Sequence, residues 1–326
     1  MWPLPPEPPR IKFIRSVSTK DDFGRSGAEL FMEALAGKNR SPEGLSKPYG
    51  VHADKAGRLF VTDTGWGKLV VFDFARQKFS MWGEEGEGAL KKAVGVTSDS
   101  QGRVYVTDVM LDRVVVYDRQ GKFLQVIGKE GELEQPVGIA VNEKLGRIYV
   151  VDTKKHHIAV FDTVGSLVST IGERGRKPGQ FNFPTNLAID RSGRLYVADT
   201  MNFRVQVLDP DGSVVKVFGS VGDSPGYLSR PKGIAVDSEG HVYVVDTAFN
   251  NFQIFDPEGR LLLFVGSMGR KPGQFWLPAG MAIDGNDRIY VADQYNLRVQ
   301  IFQYLREKGG EREARTGTGD AGQSTK

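Results

Sequence analysis

The chain has no cysteine in 326 residues. Disulfides, thiolate metal sites, thiol nucleophiles and zinc-bound RING-type modules are therefore excluded. Histidine is scarce, at four residues, and leaves little from which to build a metal centre of the usual three protein ligands. Long apolar runs are missing as well: nothing approaches the ~18 consecutive apolar residues of a membrane span, and the chain as written is expected to be soluble. Nor does one sign of charge dominate. With 43 basic and 40 acidic side chains the net charge is +3, too small to name a partner.

The opening Met1-Trp-Pro-Leu-Pro-Pro-Glu-Pro-Pro9 lacks the apolar centre of a signal peptide and reads as a stiff, extended polyproline arm, residues 1–9. A leader removed ahead of Met1 would leave such a start. A periplasmic or surface-anchored location follows in that case, and a cytoplasmic one otherwise.

Glycine, by contrast, is plentiful: there are 40, more than the ~7% average share, and they sit at regular turn positions. The unit they punctuate is clearest in Gly193-Arg-Leu-Tyr-Val-Ala-Asp-Thr-Met-Asn-Phe-Arg-Val-Gln-Val-Leu-Asp-Pro-Asp-Gly212. Two runs rich in Val, Leu and Tyr flank a polar connection, the pattern of a β-hairpin. An Asp closing a similar run recurs at Asp63, Asp108, Asp152, Asp199, Asp246 and Asp293, a period of about 45 residues that marks a repeat architecture. Each repeat opens with a small-residue strand such as Pro231-Lys-Gly-Ile-Ala-Val-Asp237 or Pro278-Ala-Gly-Met-Ala-Ile-Asp284. Gly and Ala at alternate positions leave one face without bulk, which suits the crowded axis of a radial array.

Four strands in each of six repeats predict an all-β, six-bladed β-propeller over residues 10–305, with four antiparallel strands per blade. Arg10–Val17 alternates like the outer strands that end other repeats, whereas the last repeat stops after Arg298-Val-Gln-Ile-Phe302 without one. The N-terminal strand is therefore expected to complete the last blade and close the ring. Residues 19–47 are one long insertion, in which Ala28–Ala36 has the apolar spacing of a short helix stopped by Gly37. A packed lid or plug is expected there. Residues 306–326 are polar, almost free of large apolar groups, and read as a disordered tail.

The recurring Pro-x-Gly-Ile-Ala-Val-Asp strand, followed by Val-Tyr-Val-x-Asp-Thr-x-Asn-x-Arg-Val-Gln-Val, resembles the NHL repeat. Gly175-Arg-Lys-Pro-Gly-Gln-Phe-Asn-Phe-Pro184 and Gly269-Arg-Lys-Pro-Gly-Gln-Phe-Trp-Leu-Pro278 look like that family's inter-blade loop. The resemblance covers about residues 10 to 305 and implies a six-bladed propeller. It implies no single function, because the family includes RNA-binding and ubiquitin-ligase-associated modules, amidating lyases and bacterial extracytoplasmic propellers. The Pro-rich start and the ending Arg298-Val-Gln-Ile-Phe-Gln-Tyr-Leu305 look most like the bacterial group, from which the absent lipidation Cys departs.

The recurring Asp is followed by a basic residue opening the next strand: Asp63 with Lys68, Asp108 with Arg113, Asp199 with Arg204, Asp293 with Arg298. A pair repeated in blade after blade is expected to fix the connection, not to hold a metal. Departures from the repeat near the axis are His52 and Thr97, where other blades have Ala, and Asn186, where others have Gly. One His with one Asn is a thin catalytic constellation, and a hydrogen-bonded imidazole is expected. No catalytic residue, metal or cofactor is assigned.

Antiparallel strands alternate direction, so the second-to-third-strand turns and the links into the next blade emerge on one face. That face collects Trp66, Met110, Lys155, His156, Met201, Phe203, Phe249 and Tyr295 from the turns, and Arg176, Arg270 and Trp276 from the links. Aromatic, Met and Arg groups with few acids compose a recognition surface. Phe181 and Phe275 are expected to tuck under their own loops. The reading is a non-catalytic, monomeric scaffold that binds a protein, peptide or other macromolecule, such as an accessory to an extracytoplasmic complex. An RNA-binding module using Arg174, Arg176, Lys177, Arg270, Lys271, Lys154 and Lys155 is one alternative. A lyase or hydrolase with an axial metal is the other.

Overall fold

The structure is a computed structural model that describes residues 1–4, 6–23 and 44–306. Their strands form six four-stranded antiparallel sheets arranged as blades. The innermost strands are Pro48–Ala53, Ala93–Ser98, Pro136–Asn142, Asn186–Ile189, Pro231–Val236 and Pro278–Ile283, and together they line an axial channel.

Neighbouring inner strands come close enough to dictate their composition. A Cβ on Gly95 would stand 2.0 Å from the Val137 carbonyl oxygen of the next blade. Only glycine permits that approach. A threonine latches the same contact: the Thr107 hydroxyl accepts the Gly95 N–H at 2.7 Å and donates to the Val137 carbonyl at 2.7 Å. Thr62 links Gly50 to Val94 in the same way, and Thr153, Thr200 and Thr247 donate to the Pro184, Pro231 and Pro278 carbonyls.

The apolar core is divided among the interfaces between blades. Phe60, Leu69 and Val71 of the first blade meet Val104, Val106, Val115 and Tyr117 of the second, and each such buried side chain contributes roughly 1.5–3 kcal/mol. The ring closes as the sequence predicts. Ile11–Val17 pairs antiparallel with Arg298–Tyr304, Ile11 opposite Tyr304 and Val17 opposite Val299, as the outer strand of the sixth sheet.

One expectation, at the N-terminal end, changes. The Pro-rich start folds back instead of extending: the Trp2 N–H donates to the Ile11 carbonyl at 2.8 Å, and the Ile11 N–H returns to the Trp2 carbonyl at 2.9 Å. Its indole meets Phe302 edge-on at 5.7 Å, in space left by Gly273, and burying that ring outweighs the extended preference of the prolines. Arg306, the first residue of the expected tail, donates from Nε to Asp287 Oδ2 at 2.9 Å. The expected helix at Ala28–Ala36 and residues 307–326 lie outside the described residues.

Candidate functional site

The loop face is held by the recurring Asp side chains, all wholly buried. Each accepts backbone N–H groups from the link entering its blade: Ser46 and Lys47 on Asp63, Lys91 and Lys92 on Asp108, Asn182 on Asp199, Trp276 on Asp293. Their lone pairs are thereby committed to loop structure. In the fourth and sixth blades the expected ion pair forms, Arg204 to Asp199 at 2.8 Å and Arg298 to Asp293 at 2.7 Å. Elsewhere it does not. Lys68 donates to the Gly83 and Leu90 carbonyls and Arg113 to those of Glu87 and Ala89, because a shorter amine, or a guanidinium drawn to a different loop, meets carbonyls before it meets the Asp.

The loop-tip residues fall into two groups. Trp66, Met110, Met201 and Tyr295 are exposed, as are Arg176 and Arg270. Phe203 and Phe249 are half-buried, while Phe181 and Phe275 are wholly buried under their loops as expected. His156 belongs to the packing: it is 6% exposed, and its Nδ1 accepts the Phe183 N–H at 3.0 Å. Asp112 and Asn250 make the matching bonds to the Gln135 and Leu277 N–H groups, so the blade frame requires an acceptor at this position. Lys155 is likewise engaged by the Gly131 and Glu132 carbonyls, and Lys154 by Glu134.

One part of the face forms a continuous ladder. Arg270 lies 5.6 Å over the Trp276 ring, Trp276 and Tyr295 stand 5.7 Å apart, and the Lys47 ammonium lies 5.5 Å over Tyr295. Trp66 anchors the adjoining turn by donating its indole N–H to the Gly44 carbonyl at 2.9 Å.

The axial departures do not assemble. His52 is near the end of the first inner strand, away from the loop face, with Nε2 2.9 Å from Ser98 Oγ. Burial pushes its imidazole down to about 4, against the opposing pull of Asp54. Asn186 sits at the start of the inner strand of the fourth blade, across the ring, where its Oδ1 accepts the Leu187 N–H at 2.9 Å and its backbone fills the space beside Gly138. Thr97 is buried in the channel wall. Among the described residues no three His, Asp or Glu side chains are grouped to hold a metal.

The loop end of the channel contains residues that the sequence reading missed. Tyr49 and Lys232 occupy the second position of their inner strands, where other blades have Val94, Val137, Thr185 and Ala279. Both line the channel cavity of about 280 Å³, and the Lys232 ammonium lies 5.3 Å over the Tyr49 ring. Burial raises the Tyr49 phenol to about 12, against nearby Arg230. The available signal was the same departure from the repeat that singled out His52, one position earlier in the strand.

An NHL repeat model matches residues 228–255 and 275–302, and a model described as a 6-bladed beta-propeller matches residues 136–213. No curated protein matches the chain significantly. Virginiamycin B lyase from Staphylococcus aureus superposes with a TM-score of 0.59 at 14% identity, covering 79% of this chain and 95% of that one. An auxiliary nutrient binding protein from Bacteroides thetaiotaomicron gives 0.64 at 15% identity over 82% and 71% of the two chains, and one from Bacteroides ovatus 0.62 at 15% over 80% and 70%. At these identities the likeness is one of fold. Among the described residues no helix is long and apolar enough to cross a membrane.

Proposed function

Since the chain is a six-bladed β-propeller carrying NHL repeats, we propose that it is a non-catalytic binding protein whose protein or peptide partner docks on the loop face. The observation that carries this reading is the ladder Arg270–Trp276–Tyr295–Lys47. The blade frame does not demand these rings, and aromatic and Arg groups are those that dominate binding energy at interfaces. The nutrient-binding neighbours are in keeping with such a role, and an extracytoplasmic setting suits the bacterial group that the sequence resembles.

The lyase neighbour invites an enzymatic reading, which has less support. His52 has a serine hydroxyl for a partner and Asn186 is across the ring from it. Nucleic acid is served less well too, since Lys154 and Lys155 are engaged and Glu84, Glu85 and Glu87 stand exposed in a link on the same face.

Affinity capture from the source lysate tests the proposal, comparing the native chain with a Trp276→Ala/Tyr295→Ala variant. Each hot-spot ring removed is expected to cost roughly 2 kcal/mol or more, so the partner is lost while the melting temperature holds. A partner retained in full by the variant would overturn the reading.

A further inference from the structure

At its centre the loop face narrows to the channel mouth, where Lys232 and Tyr49 stand in the wall. The Lys232 ammonium rests on the Tyr49 ring. The charged groups acting on it are Arg230 and Lys47, both cations. Lys47 itself rests on Tyr295. The matching wall positions are Val94, Val137, Thr185 and Ala279, so the second-position ring supplies no carboxylate. Burial first, then repulsion from Arg230 and Lys47, pushes the Lys232 ammonium below its ordinary value. Gathering like charges in a partly desolvated wall is unfavourable, and the blade frame does not require it, because the other blades manage with small or apolar groups. An anion is the missing component.

Which anion follows from the surroundings. The cavity behind the mouth, about 280 Å³, admits a chain end and not a folded element. Exposed Glu84, Glu85 and Glu87 on the same face disfavour a polyanion, whereas a single terminal charge can reach Lys232 in the wall of the mouth. The Tyr295–Trp276 pair beside the mouth suits an apolar or aromatic chain. We infer that the mouth is a carboxylate subsite: the free C-terminus of an extended peptide enters between Lys232, Lys47 and Arg230, with its last side chain against Tyr49. The inference rests on the loop-face reading, since the body of the peptide crosses that face.

The test uses the full chain and two defined probes in calorimetric titrations: hippurate, a peptide-like aromatic carboxylate, and hippuramide, its uncharged counterpart. Hippurate is expected to bind at least about tenfold more tightly than the amide, the scale of a charge-assisted hydrogen bond. Lys232→Met is expected to remove that preference, while Lys232→Arg and the opposite-face control Lys55→Met keep it. Matching melting temperatures establish that the variants are folded. Equal binding of acid and amide, no binding of hippurate, or an unchanged preference in Lys232→Met would each overturn the inference. So would an RNA oligonucleotide that displaces hippurate with a steep salt dependence.

The captured partner, measured on the same variants, separates this inference from its premise. Loss with Trp276→Ala/Tyr295→Ala but full retention with Lys232→Met would leave the loop-face reading standing and remove the carboxylate subsite. Hippurate selectivity that depends on Lys232, together with a partner indifferent to both variants, would leave the subsite and remove the loop-face reading.

Discussion

The two ends of one channel treat charge in opposite ways. At the end remote from the loop face, the turn-opening carboxylates have partners in their own blades. Asp237 accepts the His241 Nδ1 proton at 2.9 Å, the Tyr243 hydroxyl at 3.0 Å and two backbone N–H groups. Asp99 with Arg103 and Tyr105, Asp54 with Arg58, and Asp284 with Tyr290 repeat the scheme. At the loop end, Lys232 rests on Tyr49 and is repelled by Lys47 and Arg230, while the buried Asp63 and Asp246 accept the backbone N–H groups of Lys47 and Arg230. The same six strands join both ends. Charge that recurs with its partner holds the blade together, and charge that interrupts the repeat without one is available to a ligand.

That contrast presumes a closed ring, and opening the ring is the largest effect expected. Removing residues 1–17 strips the strand paired with Arg298–Tyr304 and uncovers Phe302, which is wholly buried. Several core side chains at roughly 1.5–3 kcal/mol each amount to much of a domain's total of about 5–15 kcal/mol. The shortened chain should lose its cooperative thermal transition by circular dichroism. A melting temperature within a few degrees of the native one would show that closure does not depend on this strand.

A pair of single substitutions then sets one end of the channel directly against the other. Asp237→Ala leaves His241, Tyr243 and two backbone donors without their acceptor, and is expected to cost about 3–5 kcal/mol in urea unfolding. Lys232→Met removes a charge that Arg230 and Lys47 repel, and is expected to change stability by no more than about 0.5 kcal/mol or to raise it. Comparable losses for the two would erase the distinction between paired and available charge.

The frame was legible in the sequence because every blade writes it again. The Gly of Pro-x-Gly, the closing Asp and the strand lent by the N-terminus each follow from a contact that recurs, such as Gly95 beside the Val137 carbonyl. Side-chain partners were less legible. Lys68 and Arg204 share a register and both reach loop carbonyls, yet only Arg204 of the two also pairs with its Asp, since loop shape decides which acceptor comes within reach. His156 looked like a recognition residue because it stands in a loop tip, but its neighbours make it an acceptor for the Phe183 N–H. Lys232 was overlooked for the converse reason. Its isolation depends on what surrounds it in the ring, and blades distant in sequence supply those surroundings.

His52 tests the contrast most finely, for it interrupts the repeat at the paired end of the channel and still has a partner, Ser98. Burial pushes its imidazole down to about 4, so folding favours the neutral ring. An unfolded imidazole takes up its proton near pH 6.5, whereas the folded one resists until about pH 4. The contribution is therefore complete above pH 6.5, declines as pH falls through that window and is lost below about 4. His241 runs the other way, because its bond to Asp237 raises it; its contribution is complete below pH 6.5 and is lost as pH rises through the folded value. His52→Gln, which can keep a hydrogen bond to Ser98, should flatten the fall in melting temperature between pH 6.5 and 4. His241→Gln should instead widen its deficit relative to the native chain as the pH drops. An acid-side slope unchanged by His52→Gln would mean that His52 titrates as a solvated group and that the paired end of the channel is more open to water than its packing indicates.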